Sequence, residues 1–163
     1  MMVVALYGDT CVGKTTVAKL LAQDLGCGVR HCGELIKERS RALNCTPDDL
    51  PVRDHLAIDD ESRQIARNAT SDVIIEGRFL NFVLYDVTEA VLIRLACSDA
   101  ERERRYCLHL KEGSIATSDA KDSQLRGTLY GTEPKRKPDL QIETSCFSAK
   151  DIAARILVWL RGN

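Results

Sequence analysis

Apolar residues along the chain fall into continuous runs and runs with helical spacing, and the two kinds alternate. Residues 3–7 form a continuous apolar run that ends at Gly8, which is typical of a central parallel strand buried on both faces. Between Val17 and Leu25 the apolar residues recur at helical spacing, and Gly26 supplies a helix stop. The start of the chain therefore predicts a strand, a glycine-containing loop and a helix, in that order.

The alternation continues to the end of the chain. Further strands are predicted around residue 29 and over residues 73–75, 91–96 and 140–142, and helices over residues 34–43 and 59–67 and from residues 98 and 148 onward. Residues 46–49 predict another helix start, with proline in its first turn. The small, polar residues 113–118 predict a flexible lid between two helices. Strands that alternate with helices in this way predict an α/β fold with a doubly wound parallel sheet.

Composition narrows the class of protein. At 163 residues the chain is long enough for one well-buried core and too short for two ordinary domains, so residues 1–163 are expected to form a single domain. A net charge of −1 provides no general attraction to nucleic acid or anionic lipid. The N-terminus carries no basic leader and no long apolar helix. We therefore expect a cytoplasmic enzyme, a monomer or weak homodimer, with no nucleic-acid or membrane partner.

One motif carries specific chemistry. Residues 8–15 read GDTCVGKT and match the phosphate-loop pattern G-x-x-x-x-G-K-[ST] at every fixed position. Gly8 and Gly13 permit backbone angles that turn several N–H groups inward, and the helix N-terminus that follows adds partial positive charge. Lys14 can reach the β- and γ-phosphates, and the Thr15 hydroxyl can ligate Mg²⁺. The sequence therefore predicts binding of ATP with Mg²⁺, through Gly8, Asp9, Thr10, Cys11, Val12, Gly13, Lys14, Thr15 and Thr16.

Acidic and basic residues outside the loop supply the remaining candidates. Glu76 follows the predicted strand 73–75 and is the first candidate for the second acid that holds the magnesium waters, with Glu34 as the other possibility. Arginine is the natural partner of phosphoryl oxygens, and Arg78, beside the same strand end, is the best single candidate for the acceptor side. The other basic candidates lie in two clusters, Lys37, Arg39 and Arg41 in the first and Arg102, Arg104, Arg105 and Arg126 in the second.

The sequence resembles the cytidylate-kinase-like branch of the nucleoside monophosphate kinases, especially its short archaeal type. The resemblance covers nearly the whole chain and includes the segments GDTCVGKTT, CGELIKE, DVIIEGR, ERERR, RGTLYG and PDLQIETSCFSAKDI. It implies a three-layer α/β/α fold with a five-stranded parallel sheet. It also implies a helical acceptor-binding segment at about residues 32–67 and a lid at about residues 102–126.

The resemblance also implies roles for individual residues. Arg78 and Lys37 would grip the acceptor phosphate, and the acceptor base would lie near Asp59 and Arg63. The full acceptor-binding set is Glu34, Lys37, Arg41, Asp59, Arg63 and Arg78, and the catalytic set is Lys14, Arg105 and Arg126. The chain departs from the family pattern at two positions, because Lys37 stands where arginine is usual and His109 stands where a second lid arginine is expected.

Three functions fit these features. The first is ATP-dependent phosphorylation of a nucleoside monophosphate, with a CMP-like acceptor as the first choice. This reaction needs positioning and charge neutralisation more than a base. The alternative is phosphorylation of a hydroxyl on a small metabolite, as in shikimate- or gluconate-kinase-like proteins, with Glu34 or Asp9 as the carboxylate near the hydroxyl. The third is a non-catalytic ATP-binding module. His31, His55 and His109 show no metal-ligand or triad spacing, and no catalytic role is predicted for them.

Overall fold

The computed structural model describes residues 1–109 and 113–162, and within them five strands form one parallel sheet. The strands are β1 (Val3–Tyr7), β2 (Gly28–His31), β3 (Val73–Gly77), β4 (Ala90–Ala96) and β5 (Leu140–Glu143). Their order across the sheet is β2-β3-β1-β4-β5, and every pairing is parallel. The predicted parallel sheet is therefore confirmed. The first strand lies at its centre and is buried at every position, as its continuous apolar run requires.

The helices connect and cover these strands. They are α1 (Lys14–Leu25), α2 (Cys32–Ala42), α3 (Val52–Arg67), α4 (Leu80–Val83), α5 (Asp99–Leu108), α6 (Ile115–Tyr130) and α7 (Ala149–Gly162). A 3₁₀ turn, Pro47–Asp49, lies between α2 and α3. Within the described part of the chain, no helix is both long enough and apolar enough to cross a membrane.

The two faces of the sheet carry two separate cores. Because side chains alternate along a strand, Val4 and Leu6 of β1 point to one face, where they join a cluster that includes residues of α1 and α7. Ala5 points to the other face and joins a cluster with Ile58 of α3 and Leu80 of α4. Helices thus cover both faces, and the three-layer, doubly wound arrangement is confirmed.

The end of α1 and the start of α5 carry the capping interactions that the sequence predicts. Gly26 ends α1 in the left-handed conformation, with φ 65°, and its N–H bonds back to the carbonyl of Ala22. At the start of α5 the Ser98 hydroxyl accepts a hydrogen bond from the Glu101 N–H at 3.4 Å. This is one half of the predicted capping box.

Three predicted boundaries differ from the structure. Helix α3 begins at Val52 rather than Asp59, because the buried side chains of His55 and Ile58 extend its inner face. The predicted helix start at residues 46–49 is only the 3₁₀ turn. The predicted flexible lid at residues 113–118 contains the start of α6, where the Ser114 hydroxyl accepts from the Thr117 N–H at 3.2 Å. Helix α6 buries only one residue, so its sequence lacks the apolar periodicity from which a helix could be predicted.

Helix α7 offers a test of which side chains hold the layers together. Ile156 is fully buried in the sheet-facing core, whereas Val158 on the same helix is 74% exposed. Ile156→Ala should lower the free energy of unfolding by about 2–5 kcal/mol, since it removes buried methyl groups and leaves a cavity. Val158→Ala is the matched control and should change it by about 0.5 kcal/mol or less. Urea unfolding would measure both, and equal effects would contradict the assigned packing of α7.

Candidate active site

The loop between β1 and α1 holds a conformation that its glycines make possible. Gly8 has φ 145° and Gly13 has φ 97°, both in the region that favours glycine. A Cβ atom at Gly8 would clash with the carbonyl oxygen of Leu95 on the neighbouring strand β4. Cys11 also has a positive φ, 66°, which is uncommon for a residue other than glycine. The backbone is thus wound tightly enough to form the anion nest that the motif predicts.

Lys14 extends over this loop. Its Nζ donates hydrogen bonds to the carbonyl oxygens of Gly8 at 2.8 Å and Asp9 at 2.7 Å. Burial lowers the pKa of Lys14 to about 8, and the nearby carboxylate of Glu76 works in the opposite direction. A phosphate bound in the loop would add negative charge next to the ammonium group, and it would therefore favour the charged form of Lys14.

Thr15 and Glu76 lie together at the same edge of the sheet. The Thr15 hydroxyl donates to Glu76 Oε1 at 3.3 Å, and Glu76 is only 5% exposed. His31 Nδ1 lies 3.1 Å from the same carboxylate oxygen, because β2 pairs with β3 so that His31 stands opposite Glu76. The sequence alone gives His31 no catalytic role, and its one available signal is its place at the end of a predicted strand.

The Thr15–Glu76 pair fits a magnesium site. Mg²⁺ prefers oxygen ligands, keeps several waters and is usually bound through one or two protein groups together with substrate phosphates. A hydroxyl and a carboxylate at one edge of the loop match that donor set. Among residues 1–109 and 113–162, no group of three or more His, Cys, Asp or Glu side chains could hold a metal ion alone, so nucleotide phosphates would have to supply further ligands.

A cavity of about 600 Å³ opens on one side of the loop and is called the Arg105 cavity. Arg105 is fixed as part of its wall, since Nε donates to Glu101 at 2.8 Å and Nη2 donates to the carbonyl oxygen of Thr144 at 2.9 Å. His109 and Phe147 complete this wall, together with Ala149 and Ile152. Thr16, from the predicted nucleotide set, also lines this cavity.

A second cavity, of about 370 Å³, lies on the other side of the loop and is called the Arg78 cavity. Three of the predicted acceptor residues line it, namely Lys37, Asp59 and Arg78. Cys11, Lys14 and Thr15 line both cavities. The loop therefore forms a shared wall between two spaces that could hold two different molecules.

The part of the Arg78 cavity beside α3 contains an acid and an aromatic cluster. The Tyr130 hydroxyl donates a hydrogen bond to Asp59, and the Tyr130 ring stacks on Phe82 with centroids 5.5 Å apart. Burial raises the pKa of Asp59 to about 6, although the bond from Tyr130 opposes that shift. His55, one helical turn before Asp59, is buried in the same wall, and burial followed by the charge of Arg78 lowers its pKa. The sequence analysis did not give His55 a role.

Six of the predicted site residues line neither cavity. Two of them, Gly8 and Asp9, belong to the loop itself, and the other four come from helices α2, α3 and α6. Glu34 is exposed and lines a separate groove with Arg30. Arg41 is exposed near the end of α2, and Arg63 is engaged with the carbonyl oxygen of Val83 at 2.9 Å and with Asp60. Arg126 lies on α6, and its buried Nε has no hydrogen-bond partner within the described residues. The structure thus gathers only part of the predicted set.

Helix α6 closes over the loop through two carboxylates that the sequence analysis missed. Asp119 accepts from Arg102 at 3.0 and 2.5 Å, and Arg102 Nε donates to the Thr10 carbonyl oxygen at 2.9 Å. Asp122 accepts from Arg78 and, at 3.4 Å, from the Thr10 hydroxyl. The spacing of Asp119 and Asp122 places both on one face of a helix, but α6 lacks the apolar pattern that would have identified that face.

Comparisons with known proteins agree with this arrangement. The family model described as an AAA domain (AAA_18) matches residues 4–123. The chain belongs to this AAA domain family. No functionally curated protein matches the sequence.

Solved structures with the same fold include kinases. Shikimate kinase from Acinetobacter baumannii, in complex with shikimate, has a TM-score of 0.71 at 18% identity and covers 100% of this chain and 94% of its own. A sugar kinase from Janibacter sp. HTCC2649 has a TM-score of 0.64 at 20% identity and covers 99% and 95%. The tunicamycin resistance protein of Deinococcus radiodurans has a TM-score of 0.66 at 18% identity and covers 98% and 95%. The fold is that of a P-loop kinase, and the cytidylate-kinase-like branch stays a prediction.

The raised pKa of Asp59 gives a prediction about stability. The unfolded chain ionises this carboxyl near its ordinary pKa of 3.8, whereas the folded protein keeps its proton up to about pH 6. The contribution of Asp59 to stability is therefore full below pH 3.8 and falls as the pH rises to about 6. Since one pKa unit corresponds to about 1.36 kcal/mol, the free energy of unfolding should drop by up to about 3 kcal/mol relative to Asp59→Asn.

Urea unfolding of the wild type and Asp59→Asn between pH 4 and pH 7 would measure this difference. Asp60→Asn, at the next and exposed position of α3, controls for the loss of one negative charge from the helix. A difference between wild type and Asp59→Asn that stays constant with pH would contradict the assigned environment of Asp59.

The Thr15–Glu76 pair gives a prediction about magnesium. Glu76→Gln should raise the Mg²⁺ concentration needed for half-maximal nucleotide binding by about tenfold or more, as loss of an outer-sphere carboxylate does in metal sites. Glu34→Gln is the matched control, because Glu34 lies in a separate groove and should leave that concentration unchanged. Titration of a fluorescent ATP analogue with Mg²⁺ would measure both. A larger effect of Glu34→Gln would instead make Glu34 the magnesium acid.

Proposed function

We propose that the protein transfers the γ-phosphoryl group of ATP to a hydroxyl group of a small metabolite. The observation that carries this proposal is the shared wall between the two cavities, which Cys11, Lys14 and Thr15 form. A donor on one side and an acceptor on the other would meet at Lys14. Such an arrangement supplies the proximity and charge neutralisation on which phosphoryl transfer depends.

The nucleotide belongs on the side of the Arg105 cavity. Its volume of about 600 Å³ is in the range of small-molecule sites, and the planar Arg105 guanidinium in its wall could stack on a nucleobase. The phosphates would lie along the inward backbone N–H groups of the loop and reach Lys14. Arg105 then acts as a nucleotide contact, since its bonds to Glu101 and Thr144 hold it on this side.

Thr15 and Glu76 would hold the magnesium ion, Thr15 directly and Glu76 through water. Bound Mg²⁺ neutralises charge on the phosphates and helps to orient them. The protein's own part is to position the oxygen ligands, and the contact between His31 and Glu76 at 3.1 Å restricts the Glu76 carboxylate.

The Arg78 cavity would hold the acceptor, and its lining suits a hydroxyl compound. It combines the cations of Lys37 and Arg78 with the carboxyl groups of Asp48 and Asp59, and His55 adds a further polar group. Hydroxyl groups both donate and accept hydrogen bonds, so they can pair with either kind of side chain. Two of the solved structures with the same fold are named as a shikimate kinase and a sugar kinase, and this supports the same choice.

A nucleoside monophosphate is the second candidate acceptor. Lys37 and Arg78 line the same cavity, and two cations could neutralise the acceptor phosphate that the cytidylate-kinase-like resemblance implies. In that case Asp59, beside the aromatic cluster, would face the nucleobase. The two candidates differ in what the cations bind, which makes them separable by a substrate screen.

The screen would combine the purified protein with ATP, Mg²⁺ and separate pools of hydroxyl compounds and of nucleoside monophosphates. The hydroxyl pool would contain sugars, polyols and hydroxy acids that include shikimate and gluconate. We expect acceptor-dependent ADP release with the hydroxyl pool, and a product heavier by one phosphoryl group in mass spectrometry. Turnover only with a monophosphate would favour the second candidate. ATP binding without any turnover would indicate a binding module.

Two variants would show that turnover belongs to this site. Lys14→Met should abolish acceptor-dependent ADP release, because it removes the cation that contacts the transferring group. Lys19→Met is the matched control, since Lys19 is exposed on the same helix and should retain activity. Equal activity in both variants would contradict the role of the loop in transfer.

A further inference from the structure

Asp122 lies at the junction of the loop and the Arg78 cavity. Its side chain is only 15% exposed, and its carboxylate accepts hydrogen bonds from Arg78 and from the Thr10 hydroxyl. Both of these partners line the Arg78 cavity. The same face of α6 carries Ser118 and Leu125, which also line it. Asp122 is therefore held at the edge of the cavity, beside the loop that would carry the transferring phosphoryl group.

Other carboxylates are less suitably placed to act on an acceptor hydroxyl. Asp9 is exposed, and Glu34 lies in a separate groove. Glu76 is engaged with Thr15 and His31, and Asp59 is paired with Tyr130 beside the aromatic cluster. Within the described residues, Asp122 is the carboxylate that contacts both the loop and Arg78.

We propose that Asp122 is the catalytic base that receives the proton of the acceptor hydroxyl. This inference rests on the proposed function. The hydroxyl oxygen of the acceptor forms a bond to the γ-phosphorus of ATP, while the bond between that phosphorus and the β,γ-bridging oxygen breaks and its electron pair leaves with ADP. The hydroxyl proton passes to Asp122 Oδ2, and it is released to water after the products leave.

The charges around Asp122 are consistent with this role. Arg78, from the end of β3, and Lys14, from α1, face the carboxylate, and Asp119 lies one turn away on α6 itself. Burial raises the pKa of Asp122, and the two cations oppose the shift. A carboxylate with a raised pKa is a better proton acceptor than an exposed one, provided that it stays ionised at the working pH.

The position of Asp122 also discriminates between acceptor classes. A phosphate bound to Arg78 would stand next to the Asp122 carboxylate, and the two negative groups would repel each other. A neutral hydroxyl meets no such repulsion and can donate its hydrogen bond to Asp122 while Arg78 orients it. Repulsion of this kind favours a hydroxyl compound over a phosphate in the Arg78 cavity, independently of the fold comparisons.

Two further ion pairs hold α6 in the position that places Asp122 beside the loop. Asp119 on the same helix binds Arg102, which in turn binds the carbonyl oxygen of Thr10 at 2.9 Å. On the side of the cavity toward residues 47–49, Lys121 pairs with Asp48 at 2.5 Å. These contacts hold α6 against Arg102 of α5 and against Asp48, and they keep Asp122 beside Arg78 and the Thr10 hydroxyl.

Asp122→Asn tests the proposal, because it keeps the size of the side chain and removes its ability to accept a proton as a base. In single-turnover assays with the hydroxyl pool described above, we expect the rate of phosphoryl transfer to fall by about 100-fold or more. Asp24→Asn is the matched control, since it makes the same change at an exposed position of α1 outside both cavities and should lose less than tenfold. Asp122→Glu should recover at least part of the lost rate.

Binding of an ATP analogue and the thermal midpoint of unfolding, measured on the same variants, separate catalysis from folding. We expect both to stay close to the wild type in Asp122→Asn. A retained or increased rate in Asp122→Asn would overturn the proposal and make Asp122 a lid contact only, although wild-type turnover would leave the proposed function standing. Equal losses in Asp122→Asn and Asp122→Glu would also overturn it. If the wild type phosphorylates none of the compounds in the hydroxyl pool, both proposals are overturned.

Discussion

Phosphate binding by backbone N–H groups requires a tight turn directly after the central strand, and Gly8 makes that turn possible. At this point the chain passes so close to the carbonyl oxygen of Leu95 that a side chain does not fit. The turn sets the start of α1 at Lys14, and with it the positions of Lys14 and Thr15. Every other candidate group is placed relative to this loop, because the neighbouring strands β3 and β4 flank the strand from which it leaves.

Ion pairs hold the cations around the loop. Arg78 is paired with Asp122, Arg102 with Asp119, and Arg105 with Glu101. Such pairs add little to stability, since the cost of removing charges from water offsets much of their attraction. Their effect is to fix the positions of the three arginine side chains around the loop. A polar acceptor entering the Arg78 cavity would exchange part of this network for its own hydrogen bonds, and the fixed positions of the charged groups would make the cavity selective.

The fold and the site carry different information about function. The AAA domain family and the likeness to solved kinases establish a P-loop kinase fold, a fold that serves several acceptors. Under the proposed function, discrimination among acceptors depends on side chains that no motif contains. His55 and Asp59 come from one face of α3, and Asp122 comes from α6, whose sequence has little apolar periodicity. In the proposed function, the acceptor class is set by how these elements meet around one cavity.

The sequence by itself determined the parallel sheet and the loop, and it named Thr15 and Glu76 as candidates for the magnesium site. Continuous apolar runs, glycines at fixed spacing and an acid at a strand end are local signals with local physical causes. Only the tertiary structure decided that Glu34 and Arg63 lie outside the cavities while His31, His55 and Asp122 contact the site or its lining. Those positions depend on strand order and on the packing of α3 and α6, which bring together residues distant in the chain. Neither charge nor spacing along the chain encodes such contacts.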